Sequence, residues 1–270
     1  MPSPQPRSCV IVVENLPVPF DRRVWQEAQA LHRAGWTVSV ICPTNDHFPK
    51  PFEVIDDISI YRHPLPPEGR GALAYFREYS TALFHEFRLL FKVHRERGFS
   101  IIQACNPPDL IFLAALPFKL MGKRFIFDQH DVSPELFVVK FDNKGFLYRA
   151  LTFFERMSYA MADFVITANA TFKDIAVSRG GMPPSKVEVV YGVPDRKRIH
   201  RVEPEPGLHG GRKFVLGYLG IINEQDGVDH LVRAVAHLVR VKGFRDFRAV
   251  VVGSGPALEF GARPRLFARS

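Results

Sequence analysis

Apolar and polar positions change period repeatedly along this chain. Short runs such as "CVIVV", "TVSVI", "FSIIQA", "RFIFD", "DFVIT" and "KVEVV" are apolar at nearly every position. They alternate with longer stretches, "RRVWQEAQALHRAG", "PPDLIFLAALPFKLMG", Lys144 to Met161 and "TFKDIAVSRG", whose apolar residues recur at helical spacing. Continuous apolar runs fit strands covered on both faces, and their alternation with helices predicts parallel βαβ units. The fold class expected is therefore α/β, with residues 8–192 forming one Rossmann-like domain with a parallel sheet behind a disordered N-terminus, 1–7.

The pattern breaks between Tyr191 and Arg212, where Pro, Gly and charge replace periodic apolar positions, and residues 193–212 read as a linker. It resumes with "KFVLGYLG", a loop "IINEQDG", a helix "VDHLVRAVAHLVRVKG" and a strand "FRAVVVG". Residues 213–270 thus read as the start of a second Rossmann-like domain whose single βαβ unit lacks partners for most of its faces. From about residue 257 the tail "LEFGARPRLFARS" carries Arg263, Arg265 and Arg269 without helical period. It is expected either as a mark of truncation or as a basic tail.

Composition narrows the function classes. Of 270 residues 46% are hydrophobic and 24% charged, ordinary for a globular protein. Cys9, Cys42 and Cys105 are odd in number and sit in apolar runs, which suggests neither disulfides nor zinc and favours a reducing cytoplasm. No stretch approaches the roughly 20 apolar residues of a membrane span. A formal charge of +8 and a pI near 9.5 favour polyanionic partners: nucleic acid, anionic lipid or phosphorylated small molecules. No recognition helix, zinc pattern or RNA-binding strand supports nucleic acid. The glycine fingerprints of dinucleotide and P-loop sites are also absent, which argues against redox and nucleotide-hydrolysis chemistry.

In an open parallel sheet, ligands sit beyond the carboxyl ends of the strands. Three loops there carry candidate chemistry. In "ENLPVPFDRR", Asp21 can cap a helix whose first turn holds Arg22 and Arg23, cations that oppose the helix dipole and gain from a nearby anion unless they are simply solvated. In "QACNPPDL", Asn106 follows a strand and the prolines pre-set a helical turn beside Asp109. In "FIFDQHDVSPELF", Asp128, Gln129, His130 and Asp131 end a strand, and Ser133 is the expected cap of the next helix. A lone histidine is more often structural, but His130 among carboxylates at this position is a candidate for function.

These residues, with "DRRVWQEAQALHRAGWTVSVICP", "NPPDL", "VITAN", "RGGMPPSKVEVV" and "GYLGIINEQDGVDHLVRAV", resemble family 4 glycosyltransferases, retaining enzymes of GT-B fold with an acceptor-binding N-terminal domain. The resemblance implies a nucleotide-sugar donor as substrate, a glycan or lipid-linked acceptor, and no cofactor or metal. It implies that catalytic His130 meets the donor sugar, with Asn15, Asp21, Arg22, Arg23, Asn106, Asp131 and Glu135 around the cleft and acceptor. Gly220, Ile221, Asn223 and Gly227 would bind the donor diphosphate through backbone N–H groups. Tyr218 and Asp226 stand where much of the family has Arg and Lys, and Asp226 is expected to cap the following helix instead. The family's donor-binding glutamate pair falls downstream of "VVVGSGP", so activity of this chain is expected to be impaired by truncation.

The stretch "LAYFREYSTALFHEFRLLFKVHRERG" places Leu73, Phe76, Leu83, Phe84, Phe87, Leu90 and Phe91 at helical spacing among Arg77, Arg88, Lys92, Arg95 and Arg97. It reads as a helix packed on the sheet, or as a basic aromatic face for peripheral membrane contact. The function expected is sugar transfer in polysaccharide or lipopolysaccharide assembly, in the cytoplasm or at the inner face of the membrane. The alternatives are a non-catalytic acceptor- or membrane-binding module and a GT-B sugar-nucleotide epimerase.

Overall fold

The computed structural model describes residues 7–64, 72–141, 144–194, 199–205, 207–223, 226–255 and 257–258, with backbone only at 72–79, 140 and 141. The expected disordered segment, apart from Arg7, and the tail beyond Leu258 lie outside the described residues, as do the side chains of Leu73, Phe76 and Arg77. The chain divides into two compact units, Met1–Val193 and Pro194–Ser270.

The first unit runs β1 (Ser8–Val12), α1 (Arg22–Arg33), β2 (Thr37–Pro43), β3 (Phe52–Ile55), β4 (Ile58–His63), α2 (Ala72–Glu96), β5 (Ile101–Cys105), α3 (Phe112–Leu120), β6 (Arg124–Gln129), α4 (Ser133–Phe141), α5 (Phe146–Met161), β7 (Phe164–Thr167), α6 (Ala170–Ser178) and β8 (Val187–Val189). Its eight strands form one sheet in the order β3-β4-β2-β1-β5-β6-β7-β8. All neighbours pair in parallel except β3 with β4.

The period of two in the strands explains the layering. Val10 and Val12 of β1 face a core with Leu90, Val93, Phe118, Phe125, Phe127 and Tyr159, whereas Cys9, Ile11 and Val13 face a second core with Val24, Trp25, Val38, Val40 and Ile60. Helices therefore cover both faces, which is why the strands read as unbroken apolar runs.

The β3–β4 hairpin departs from the expected all-parallel alternation. Its two-residue turn places Asp56 and Asp57 at φ 49° and 60°, both left-handed, as a type I′ turn requires. Asp tolerates that region less well than Gly or Asn, so Asp-Asp is a weak hairpin signal.

The second unit contains β9 (Phe214–Leu219), α7 (Val228–Arg240) and β10 (Phe247–Val252), with β9 and β10 parallel. Leu219 and Val252 stay exposed, in line with a single βαβ unit whose sheet faces are only partly covered.

A candidate ligand site at the switch point of the sheet

The strand order reverses at β1: β2 lies on one side and β5, then β6, on the other. The carboxyl ends of β1, β5 and β6 therefore adjoin at the point where an open parallel sheet leaves a crevice for a ligand. The loops carrying the first-unit candidates all begin there.

Asp21 caps α1 as expected, accepting a hydrogen bond from the Val24 N–H at 3.1 Å. Arg22 and Asn15 are exposed, and among the described residues neither has a side-chain partner. Arg23, the next residue of the same helix, is drawn inward. Its Nη2 donates to Asp128 Oδ1 at 3.0 Å, its Nη1 to the Val190 carbonyl at 2.6 Å and its Nε to His130 Nε2 at 3.0 Å. The anion expected beside this arginine is the chain's own Asp128.

Asp128 is fully buried and Glu27 partly so, and both lie against Arg23. Burial and the charge of Asp128 push the Glu27 carboxyl up to about 9. Burial also opposes ionisation of Asp128, but the hydrogen bonds and positive charge around it, the Arg23 guanidinium among them, outweigh it and hold that carboxyl down to about 2. The two acids thus carry one negative charge against one guanidinium, a balanced ion pair in a dry setting. Gln103 completes the floor, donating to Glu27 Oε2 at 2.6 Å and Asp128 Oδ2 at 2.9 Å. Neither Glu27 nor Gln103 was expected here. Glu27 stands four residues after Arg23, and Gln103 is a polar residue inside an apolar strand, so both signals were present in the sequence.

Asn106 works as a staple. Its Oδ1 accepts from the backbone N–H groups of His130 (2.8 Å) and Asp131 (3.2 Å), and its Nδ2 donates to Asp109 Oδ1 and the Asp131 carbonyl, both at 2.8 Å. Its amide is spent on shaping the turn after β6, which fixes where the His130 ring emerges. Pro107 and Pro108 precede the short helical turn Asp109–Ile111 rather than forming part of it. Asp109 is buried, which pushes its carboxyl up to about 6. Asp131 is half-buried, and burial raises its pKa too.

Two neighbours differ from expectation. Ser133 is the first residue of α4 rather than its cap, since the Leu136 N–H bonds the Val132 carbonyl. Glu135, expected around the cleft, is held by both oxygens on Arg179, which also binds the buried Glu155, so that Arg179 ties α4, α5 and α6 together.

One set of possible metal ligands occurs among the described residues: Cys105, Asp128 and His130. Burial pushes the Cys105 thiol well up, away from the thiolate a metal needs, and the Arg23 guanidinium already lies against Asp128 and His130. These residues fit a cation site poorly because a cation belongs to them already.

In the second unit, the loop after β9 turns its N–H groups inward. Those of Gly220 and Ile222 bond the carbonyls of Val252 and Ser254 at 3.1 and 3.0 Å, and that of Asn223 bonds Asp226 Oδ2 at 2.9 Å. Asp226 therefore caps the loop and not α7, whose N-cap is Gly227 at φ 67°. Ile221 is exposed, and among the described residues no partner is found for the N–H of Ile221 or of Gly227. Gly253 and Gly255 press on the same loop: a Cβ on either would strike the backbone of Gly220 or Ile222.

This sheet has counterparts among known proteins. The Glycosyl transferase 4-like domain pattern matches residues 21–192, and the chain belongs to that family of transferases. A chitobiosyldiphosphodolichol beta-mannosyltransferase of Eremothecium gossypii is 23% identical over 206 residues, covering 73% of this chain and 42% of the relative. The chain thus spans less than half the length of that relative. The fold is of GT-B type. Sucrose-phosphate synthase from Thermosynechococcus elongatus superposes with a TM-score of 0.61 at 15% identity, over 92% of this chain and 70% of that one. The catalytic domain of starch synthase IV from Arabidopsis thaliana, bound to ADP and acarbose, gives 0.60 at 15% identity, over 96% and 71%.

Proposed function

We propose that the chain is a glycosyltransferase that moves a sugar, with retention, from a nucleotide-sugar donor to a glycan or lipid-linked acceptor in cell-surface polysaccharide assembly. The observation that carries the reading is the His130 ring, held by Arg23 on a turn that Asn106 fixes through the His130 backbone N–H, at the switch point of a domain in this family. His130 meets the donor sugar, and the loop from Asn15 to Arg23 faces the acceptor. The second unit contributes the diphosphate contacts through Ile221 and the N-terminus of α7, where helix N–H groups favour an anion. No metal takes part.

A lipid-linked acceptor fits two further observations. The name of the Eremothecium relative specifies a diphosphodolichol-linked sugar. In α2, Phe84, Phe87 and Phe91 are exposed beside exposed Arg88, Lys92 and Arg95, a face suited to the anionic inner surface of a membrane.

Titration calorimetry with UDP, GDP and their sugars tests the donor. Binding of one nucleotide series is expected, and His130→Ala is expected to keep that binding while losing about 100-fold or more in transfer to an added acceptor. Absence of binding by every nucleotide would overturn the reading in favour of a non-catalytic acceptor-binding module.

A further inference from the structure

The arrangement around His130 decides more than where the ring lies. Nε2 stands 3.0 Å from Arg23 Nε and 3.2 Å from Asp128 Oδ2. Arginine keeps its Nε proton at any ordinary pH, and that N–H is directed at Nε2 with hydrogen-bond geometry. A proton on Nε2 would bring two N–H groups face to face at that distance. Asp128 Oδ2 already accepts from Gln103 Nε2 at 2.9 Å and lies 3.8 Å from Cys105 Sγ, so it is not short of donors. Arg23 is itself held at two further points, Asp128 Oδ1 and the Val190 carbonyl, and cannot swing aside without taking the guanidinium charge away from the buried Asp128.

We infer that Arg23 is a positioning residue that fixes His130 in the tautomer carrying its proton on Nδ1. Nε2 is consumed inside the protein as an acceptor. The ring atom left for a ligand is then Nδ1–H, a donor, and among the described residues it has no protein partner. His130 thereby selects an oxygen acceptor, either a sugar hydroxyl or a phosphate oxygen. It cannot serve as a base toward that ligand without first giving up the Arg23 bond. The tautomer follows from the ligand-free geometry, while the role toward a sugar rests on the glycosyltransferase reading above.

The test is long-range 1H–15N correlation NMR of the ligand-free, 15N-histidine-labelled chain, with the His130 ring assigned by its loss in His130→Ala. Nδ1 is expected in the protonated range and Nε2 in the unprotonated range, with a bias of about tenfold or more, as befits a hydrogen bond from a charged donor. In Arg23→Lys the charge stays but the planar Nε–H is lost, and the Nε2–H form aimed at Asp128 is expected to gain at least an equal share. A wild-type ring protonated on Nε2 overturns the inference, as does a folded Arg23→Lys chain with the wild-type pattern. If that variant does not fold, the wild-type spectrum alone decides. Because no nucleotide is present, failure here is distinct from failure to bind a donor, which would remove the glycosyltransferase reading and leave the tautomer standing.

Discussion

Glu86 sits in α2 with no exposed surface, and among the described residues neither of its carboxylate oxygens has a hydrogen-bond partner. Burial alone pushes its carboxyl from the ordinary 4.5 up to about 8, so the native chain keeps a proton that the unfolded chain releases. A raised folded pKa means that this contribution to stability is fully present below about 4.5 and is lost as pH rises toward about 8. The slope is on the order of 1 kcal/mol per pH unit in that window. Glu86→Gln removes the proton dependence and fills the same volume. Urea unfolding at pH 5 and pH 8 is expected to show the variant gaining on the wild type as pH rises, and a constant difference would contradict the assignment. The same sign applies to Glu27, whereas Asp128 has the opposite one: its depressed pKa stabilises above the ordinary carboxyl range. At this scale the sequence exposed part of the site. The cluster "DQHD" at the end of an apolar strand pointed to His130, and Asp21 to a cap. Which arginine of the Arg22–Arg23 pair turned inward was not legible, because both lie in one helical turn and only the position of β6 distinguishes them.

Strands and helices were the most legible elements, since period-two and helical patterns survive any packing arrangement. The hairpin β3–β4 escaped because its turn is Asp-Asp and its inner strand buries Arg62 and His63, which read as polar. Arg62 is accommodated there by Glu53 and the Val18 carbonyl, a pairing that no local pattern encodes. The Glu135 expectation illustrates the same limit. Arg179, at the end of α6, joins Glu135 of α4 to Glu155 of α5, bringing together residues up to 44 apart in sequence. Glu155 is buried, and desolvation, against the attraction of Arg179, raises its carboxyl to about 7. Arg179→Met strands that acid: a loss of about 3 kcal/mol is expected at pH 8, shrinking toward pH 6 as Glu155 takes up a proton. The double variant Arg179→Met/Glu155→Met is expected to recover most of the loss in denaturant titration. If single and double variants unfold alike, the clamp contributes nothing beyond packing.

For the molecule as a whole, the net charge of +8 acquires a direction once the exposed residues of α2 are placed. Leu90 and Val93 face the core, so the helix does pack on the sheet, while Phe84 and Phe87 are exposed on another side beside Arg88, Lys92 and Arg95, with Phe91 at the border, partly exposed and partly against Phe118. One face of the helix thus meets the reading of an element packed on the sheet, and the other carries the basic aromatic residues on which the proposed membrane contact rests. Attachment by such a basic aromatic face alone would be reversible and would depend on anionic lipid. Each basic residue near such a surface contributes about 1 kcal/mol. Reversing Arg88, Lys92 and Arg95 to Glu should then weaken sedimentation with phosphatidylserine-containing vesicles by roughly 100-fold or more. Raising salt should weaken the wild type and leave the charge-reversed chain little changed, since surface attraction is screened within a Debye length. Replacing the three phenylalanines with Ser should reduce binding at every salt concentration, because burial of apolar area does not depend on ionic strength. Binding to neutral vesicles equal to that on anionic ones would show that the charge of this face serves another partner.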